Sequence, residues 1–158
     1  MSSPYAPPPL TPREAVTEVL YRCLHAIDSN DKDGFNSSFV QTEELTFEEL
    51  SSEAAPMLHL VGWSSFSAFM QQLFDIITTH TTSNVLVEFQ DADTAILKCT
   101  SVAYHVRPEN VAATQETSFT GYSLYTLTIV KDGGAWKIKR WEIKLSRSTG
   151  DLASVLTL

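Results

Sequence analysis

Apolar residues recur along this chain with two different periods, and the change of period divides it. Val16, Val19, Leu20, Cys23, Leu24 and Ile27 are spaced i, i+3, i+4, i+7, i+8 and i+11. That spacing draws one stripe along a helix of about five turns and predicts that this side is buried. Thr11-Pro12-Arg13-Glu14 supplies its start as a capping box, with proline at the first helical position. Asp28-Ser29-Asn30-Asp31 ends it with residues that compete for the backbone in caps and turns. A short helix is expected from Lys32 to Phe39, and a strand from Leu45 to Leu50 with Leu45, Phe47 and Glu49 on one face. Gly62 to Ile77 returns to the helical period, with Phe66, Phe69, Met70, Leu73, Ile76 and Ile77 as its stripe and Ser64 or Ser65 as its cap.

From Asn84 onward the period is two, the signature of strands. Strands are predicted over Asn84 to Phe89, Thr94 to Val106, Phe119 to Lys131 and Trp136 to Leu145. Asp91-Ala92-Asp93 is a turn, Glu109 to Glu116 a loop, and Asp132-Gly133-Gly134 a hairpin turn. Helices set ahead of an antiparallel meander give an α+β domain. A long amphipathic helix laid into a bent sheet closes a cone with an internal pocket, which suits a small molecule. The domain is expected over residues 11–146. Residues 1–10 hold four prolines and read as a disordered arm, and residues 147–158 as a C-terminal tail.

Composition narrows the partners. A chain of 158 residues, 43% hydrophobic and 19% charged, fits one globular domain. The net charge is −8, which argues against nucleic acid and leaves no basic face for anionic lipid. Glu43, Glu44, Glu48, Glu49 and Glu53 concentrate the excess and read as a solvated face. No apolar run is long enough to span a membrane, and the first ten residues lack the form of a secretory signal, so a cytoplasmic home is expected. Cys23 and Cys99 sit in apolar segments without redox or metal spacing and read as buried thiols.

The candidate chemistry lies at the ends of elements. Asp28 closes the first helix, where a carboxylate opposes the dipole; a turn role alone would explain it. His80 falls between the second long helix and the sheet, where the dipole alone would explain a histidine. His105 is more informative, because it shares a strand face with Ala95, Leu97, Cys99, Ser101 and Ala103. Those are mostly small side chains, so the ring looks into space. Ser123 shares the next strand's face with Phe119, Gly121, Tyr125 and Leu127. A carboxylate beside an imidazole fixes its tautomer and raises its pKa, and the pair serves as a general acid–base. Asp28, His80 and His105 are thus candidate catalytic residues, and Ser123 and Tyr125 candidate substrate-binding residues. Two histidines and an aspartate are also metal ligands by type, but tight ligand spacing is missing, so neither metal nor cofactor is expected. Ser123 lies in a strand, without the sharp elbow of a serine nucleophile. His25 and His59 read as structural, the latter in a loop.

These positions resemble a known family. Ile27-Asp28-Ser29-Asn30-Asp31-Lys32-Asp33 is similar to the aspartate-serine-x-aspartate-x-aspartate helix ending of fungal scytalone dehydratase-type proteins. These belong to the SnoaL-like branch of the nuclear-transport-factor-2-like (NTF2-like) cone fold. Thr78-Thr79-His80 resembles the threonine-x-histidine that follows their second long helix, and His105 their strand-end histidine. Counting back from Gly133-Gly134-Ala135-Trp136-Lys137 places Ser123 on the family's pocket serine. The resemblance implies catalytic roles for Asp28, His80 and His105. The chain departs from the family at Ile27 and Tyr125, where a tyrosine and an asparagine stand, and near Phe47, where a second tyrosine has no counterpart. The resemblance therefore implies the acid–base core with another substrate. The expected function is cofactor-independent dehydration, cyclisation or isomerisation of an oxygenated polyketide- or terpenoid-type molecule in fungal secondary metabolism. The alternative is a non-catalytic binding or oligomerisation module. In either case a homo-oligomer, dimer or trimer, is expected through an outward face carrying Tyr104, Tyr122, Leu124 and Trp141.

Overall fold

The computed structural model describes residues 8–50, 56–113 and 117–157, so most of the expected proline-rich arm lies outside the described residues. Helix α1 runs Pro12–Asp28, and the Thr11–Glu14 capping box closes its start in both directions. Val16, Val19, Leu20, Cys23, Leu24, Ala26 and Ile27 are buried, which is the predicted stripe with one alanine added. Helix α2 (Lys32–Ser37) is capped by the Asp31 carboxylate, which accepts from the Gly34 backbone N–H. Strand β1 (Thr46–Leu50) and strand β2 (Pro56–Val61) follow, then helix α3 (Trp63–Met70). Strands β3 (Ile77–Phe89), β4 (Thr94–Val106), β5 (Ser118–Asp132) and β6 (Ala135–Gly150) complete the chain. The six strands form one sheet in the order β2-β1-β6-β5-β4-β3. Every neighbouring pair is antiparallel except β1 with β6, which is parallel. This is the α+β architecture expected, a curved sheet with helices on its concave side and one contiguous apolar core between them.

The differences from the sequence reading have physical causes. Strand β2 was not expected, and His59 lies on it rather than in a loop. It is an edge strand with β1 as its one neighbour, and its alternation is shallow, so its pattern is faint. The second long helix stops at Met70 rather than reaching Ile77; Gln71–Asp75 tightens into a 3-10 turn and Ile77 already begins β3. Ile76, Ile77, Thr78 and Thr79 are β-branched and stiff, which favours strand over helix. The helix is entered through Gly62 at φ 83°, not through Ser64 or Ser65.

Strand β3 begins seven residues before Asn84, so His80 lies within a strand and not at a helix end. Asn84 has φ 55°, and the pairing with β4 shifts between Ser83 and Leu86. This bulge inserts one residue and exchanges the faces. Before it Thr78 is buried and His80 partly buried; after it Val85 is partly buried and Val87 buried. Strict alternation counted back from Val87 would turn His80 to solvent, and the bulge turns it inward. The same device acts on β6, where Arg140 pairs with Thr128 but Ile138 pairs with the adjacent Ile129. Trp141, expected on the outer face, is therefore 3% exposed and packs against Tyr125 and Phe47.

The final strand also runs past Leu145 to Gly150. Beyond it Leu152–Ser154 makes a 3-10 turn, and Val155 is buried. Gln72 holds the last residues from both sides: its side-chain N–H donates to the Thr157 carbonyl at 3.0 Å, and the Thr157 N–H donates back at 2.8 Å. The C-terminal segment is thereby tied to the 3-10 turn that follows α3.

Candidate active site

Asp28 is the last residue of α1, and its carboxylate collects three hydrogen bonds from the start of β3. Thr78 Oγ1 donates to Oδ1 at 2.7 Å, the His80 backbone N–H donates to Oδ2 at 2.8 Å, and His80 Nδ1 lies 2.7 Å from Oδ1. Burial raises the carboxyl's pKa, but the His80 ring, its backbone N–H, its charge and Thr78 outweigh burial and hold it below the usual value. A carboxylate only accepts, so the proton at this contact belongs to His80 Nδ1. In the neutral ring the other nitrogen, Nε2, then carries the free lone pair. The bonds from β3 also answer the unfavourable helix dipole at the end of α1.

His105 stands on β4 with its ring centroid 5.7 Å from that of His80, the planes at 86°. It is 8% exposed, and its Nδ1 is buried with no hydrogen-bond partner among the described residues. Burial, and next the positive charge of His80, push its pKa down to about 4. His105 is therefore a neutral imidazole at ordinary pH.

Both histidines line an interior cavity of about 80 Å³, several times the room that one water needs. Ser123 and Tyr125 line it from β5, and Ile27, Phe69 and Leu73 supply apolar wall. Tyr125 is 3% exposed, and burial raises the pKa of its phenol. Asp28 does not line the cavity; it stands behind His80 and reaches it through the ring. Gly121 keeps the wall thin, since a Cβ there would meet Leu145 and Phe119 at 3.3 and 3.4 Å. Leu152 and Leu156 close the cavity from the C-terminal segment. Thus four of the five candidate residues line one space, and the fifth orients one of them. His25 is exposed on α1, and His59 is a surface residue 3.7 Å from Glu48. Among the described residues no group of three His, Cys, Asp or Glu side chains is placed to hold a metal ion.

Two lining residues escaped the sequence reading as site residues. Glu49 belongs to the acidic run read as a solvated face, and its neighbours do behave that way. Glu44 pairs with Lys139 at 2.6 Å and Glu48 with Arg140 at 2.9 Å. Glu49 instead points into the cavity, and burial raises its pKa. The signal was its place on the face of Leu45 and Phe47. Trp141 was missed because the β6 bulge is silent in the apolar pattern.

Comparisons with known proteins bear on the family and the fold. A family model described as the SnoaL-like domain matches residues 8–142, and the chain belongs to that family. "Terrestric acid biosynthesis cluster protein E" of Penicillium crustosum is 26% identical over 159 aligned positions, covering 97% of each chain. Among solved structures, a protein of Novosphingobium aromaticivorans provisionally titled a scytalone dehydratase superposes with a TM-score of 0.74. It is 20% identical, with 88% of this chain and 87% of that one covered. A hexachlorocyclohexane dehydrochlorinase superposes with a TM-score of 0.66 at 17% identity, with 92% of each chain covered. At these identities the solved structures establish the NTF2-like fold.

Proposed function

We propose that this SnoaL-like protein is a cofactor-independent acid–base enzyme of secondary metabolism, acting on an oxygenated small molecule of polyketide or terpenoid type. The observation that carries the reading is the 2.7 Å contact between Asp28 and His80, with His80 lining the cavity. The family, the relative from a terrestric acid biosynthesis cluster, and neighbours titled as a dehydratase and a dehydrochlorinase support it.

In this reading His80 Nε2 takes a proton from a carbon next to a carbonyl. The bonding pair moves to the carbonyl oxygen, where Ser123 donates to the developing charge, while Tyr125 binds the substrate further along the cavity. The imidazolium that forms is stabilised by the Asp28 carboxylate through Nδ1. It then returns the proton, either to a departing hydroxyl, which leaves as water, or to another carbon of the conjugated system. The first outcome is dehydration; the second is isomerisation, or cyclisation when a ring bond forms. Neutral His105 beside His80 adds no second positive charge to oppose the imidazolium. The enzyme works in the cytoplasm.

We also propose that the chain self-associates into a dimer or trimer. Val102 and Tyr122 are paired across β4 and β5, and with Tyr104 and Leu124 they form an outward apolar patch, each residue 37–48% exposed.

The test of the enzymatic reading needs no natural substrate. The protein is incubated with acetophenone in D2O, and exchange of the methyl hydrogens is followed by proton NMR. Wild type accelerates exchange and His80→Ala loses the acceleration; equal rates in the two proteins would refute the assignment of His80 as the base.

A further inference from the structure

Glu49 breaks the pattern of its own strand. Leu45 and Phe47, on the same face of the chain, are 1% and 3% exposed, and alternation calls for a third apolar residue. Places where one residue contradicts an otherwise consistent pattern tend to be functional. Glu49 has no hydrogen bond or ion pair among the described residues, although its neighbour Glu48 has Arg140. Burial favours its neutral acid.

A second, independent observation lies beside it. Glu49 pairs with Ile143 and Phe47 with Trp141, so Trp141 is the diagonal neighbour of Glu49 on the inner face. The Trp141 indole Nε1 is buried and has no hydrogen-bond partner among the described residues. A buried indole N–H normally finds one. Both side chains line the cavity that holds His80. One unused carboxyl and one unused indole donor therefore meet on one patch of its wall.

This patch is not where the histidines are. Glu49, Ile143, Tyr125 and Cys99 lie on one row across the sheet, whereas His80 pairs with Ala103, further along β4. Strand spacing of about 4.8 Å and a rise of about 3.3 Å per residue then put Glu49 and His80 at opposite ends of the concave face. We propose that Glu49 and Trp141 Nε1 form a second polar subsite that takes a hydroxyl group of the substrate, remote from the carbon that His80 deprotonates. A carboxyl offers an acceptor in either protonation state, and the indole only a donor. A hydroxyl uses both groups at once: it accepts from the indole and donates to a Glu49 carboxyl oxygen. A plain ketone leaves the Glu49 acceptor unused, and an amine would set its own donors against the indole. The assignment deepens the enzymatic reading, since it defines the substrate as an apolar skeleton with an enolisable carbonyl at one end and a hydroxyl at the other.

The test compares binding of acetophenone, 4-hydroxyacetophenone and 4-methoxyacetophenone by calorimetry at pH 6. Wild type binds the hydroxy compound about tenfold or more tightly than acetophenone, as one donor–acceptor pair predicts. The methoxy compound, which cannot donate, shows no such preference; this arm uses the wild-type protein alone. Glu49→Leu abolishes the preference, Glu49→Gln keeps most of it because the amide still accepts, and Asp28→Asn leaves it unchanged. Equal binding of all three compounds by wild type, or a preference that survives Glu49→Leu, overturns the subsite. Failure of wild type to accelerate ketone exchange, with the hydroxyl preference intact, would refute the enzymatic reading and leave the subsite standing.

Discussion

His80 Nδ1 lies 2.7 Å from Asp28 Oδ1 across 52 positions of sequence, and the backbone N–H of the same histidine holds the other carboxylate oxygen at 2.8 Å. One carboxylate thus grips one residue at two atoms, and the ring has little freedom to turn. Asp28→Asn breaks that grip, because an amide can present its N–H to the ring and favour the other tautomer. Ketone exchange falls by about 10²–10⁴-fold, the usual worth of a positioned general base. The cavity and the binding of acetophenone stay nearly unchanged. Measured exchange rates and binding constants for the two proteins separate these effects.

Two groups weaken the fold as the pH falls. Asp28 has a lowered pKa in the folded chain, so its contribution is present above the ordinary carboxylate value and disappears as pH falls through the lowered one. His105 acts in a different window. Its folded pKa is about 4 against an ordinary value of 6.5, so between these the unfolded chain binds a proton that the folded chain does not. Stability therefore falls as pH drops from 6.5 to 4, by on the order of 3 kcal/mol for this residue. Urea unfolding at pH 7, 5.5 and 4.5 measures it, and His105→Gln flattens the slope in that range.

Gly150 stands at φ 80°, and a Cβ there would lie 1.9 Å from the Ser118 carbonyl oxygen. Backbone cannot give way cheaply, and the residue ends the strand that hands the chain to the closing segment. Gly150→Ala lowers stability by about 2 kcal/mol or more, whereas Gly133→Ala, with open space around it, costs about 1 kcal/mol from its φ of 59° alone. Thermal unfolding of the two variants ranks them.

Self-association depends on the outward patch. Leu124→Glu or Tyr122→Glu places a charge among exposed apolar side chains without touching the cavity face. Light scattering then shows a monomer for the variants and an oligomer for wild type. A wild-type monomer at tens of micromolar would exclude the patch as an interface.

The period of the apolar residues disclosed much of this molecule. Helix α1, strand β4 and the two-glycine hairpin stand where spacing and turn chemistry put them, because each is long, regular and buried on one face. Asp28 and His105 were legible for the same reason: one marks a helix end, the other extends a run of small inward residues. His80 was found by resemblance, while its local setting was misread as a helix end. The Thr-rich start of β3 carries no apolar alternation, and the Asn84 bulge conceals which face is inward. Trp141 and Glu49 were hidden in related ways, one by a bulge and one by an acidic run whose other described members are at the surface. Bulges are fixed by pairing with neighbouring strands, so they leave little trace in one strand's own sequence.

The most direct measurement is the tautomer of His80, read from long-range nitrogen–proton correlations of the imidazoles at pH 8. The geometry at Asp28 predicts a proton on Nδ1 and a free lone pair on Nε2, reversed or mixed in Asp28→Asn. A His80 protonated on Nε2 in wild type, unchanged by Asp28→Asn, would contradict the account, because His80 would then present no base to the cavity.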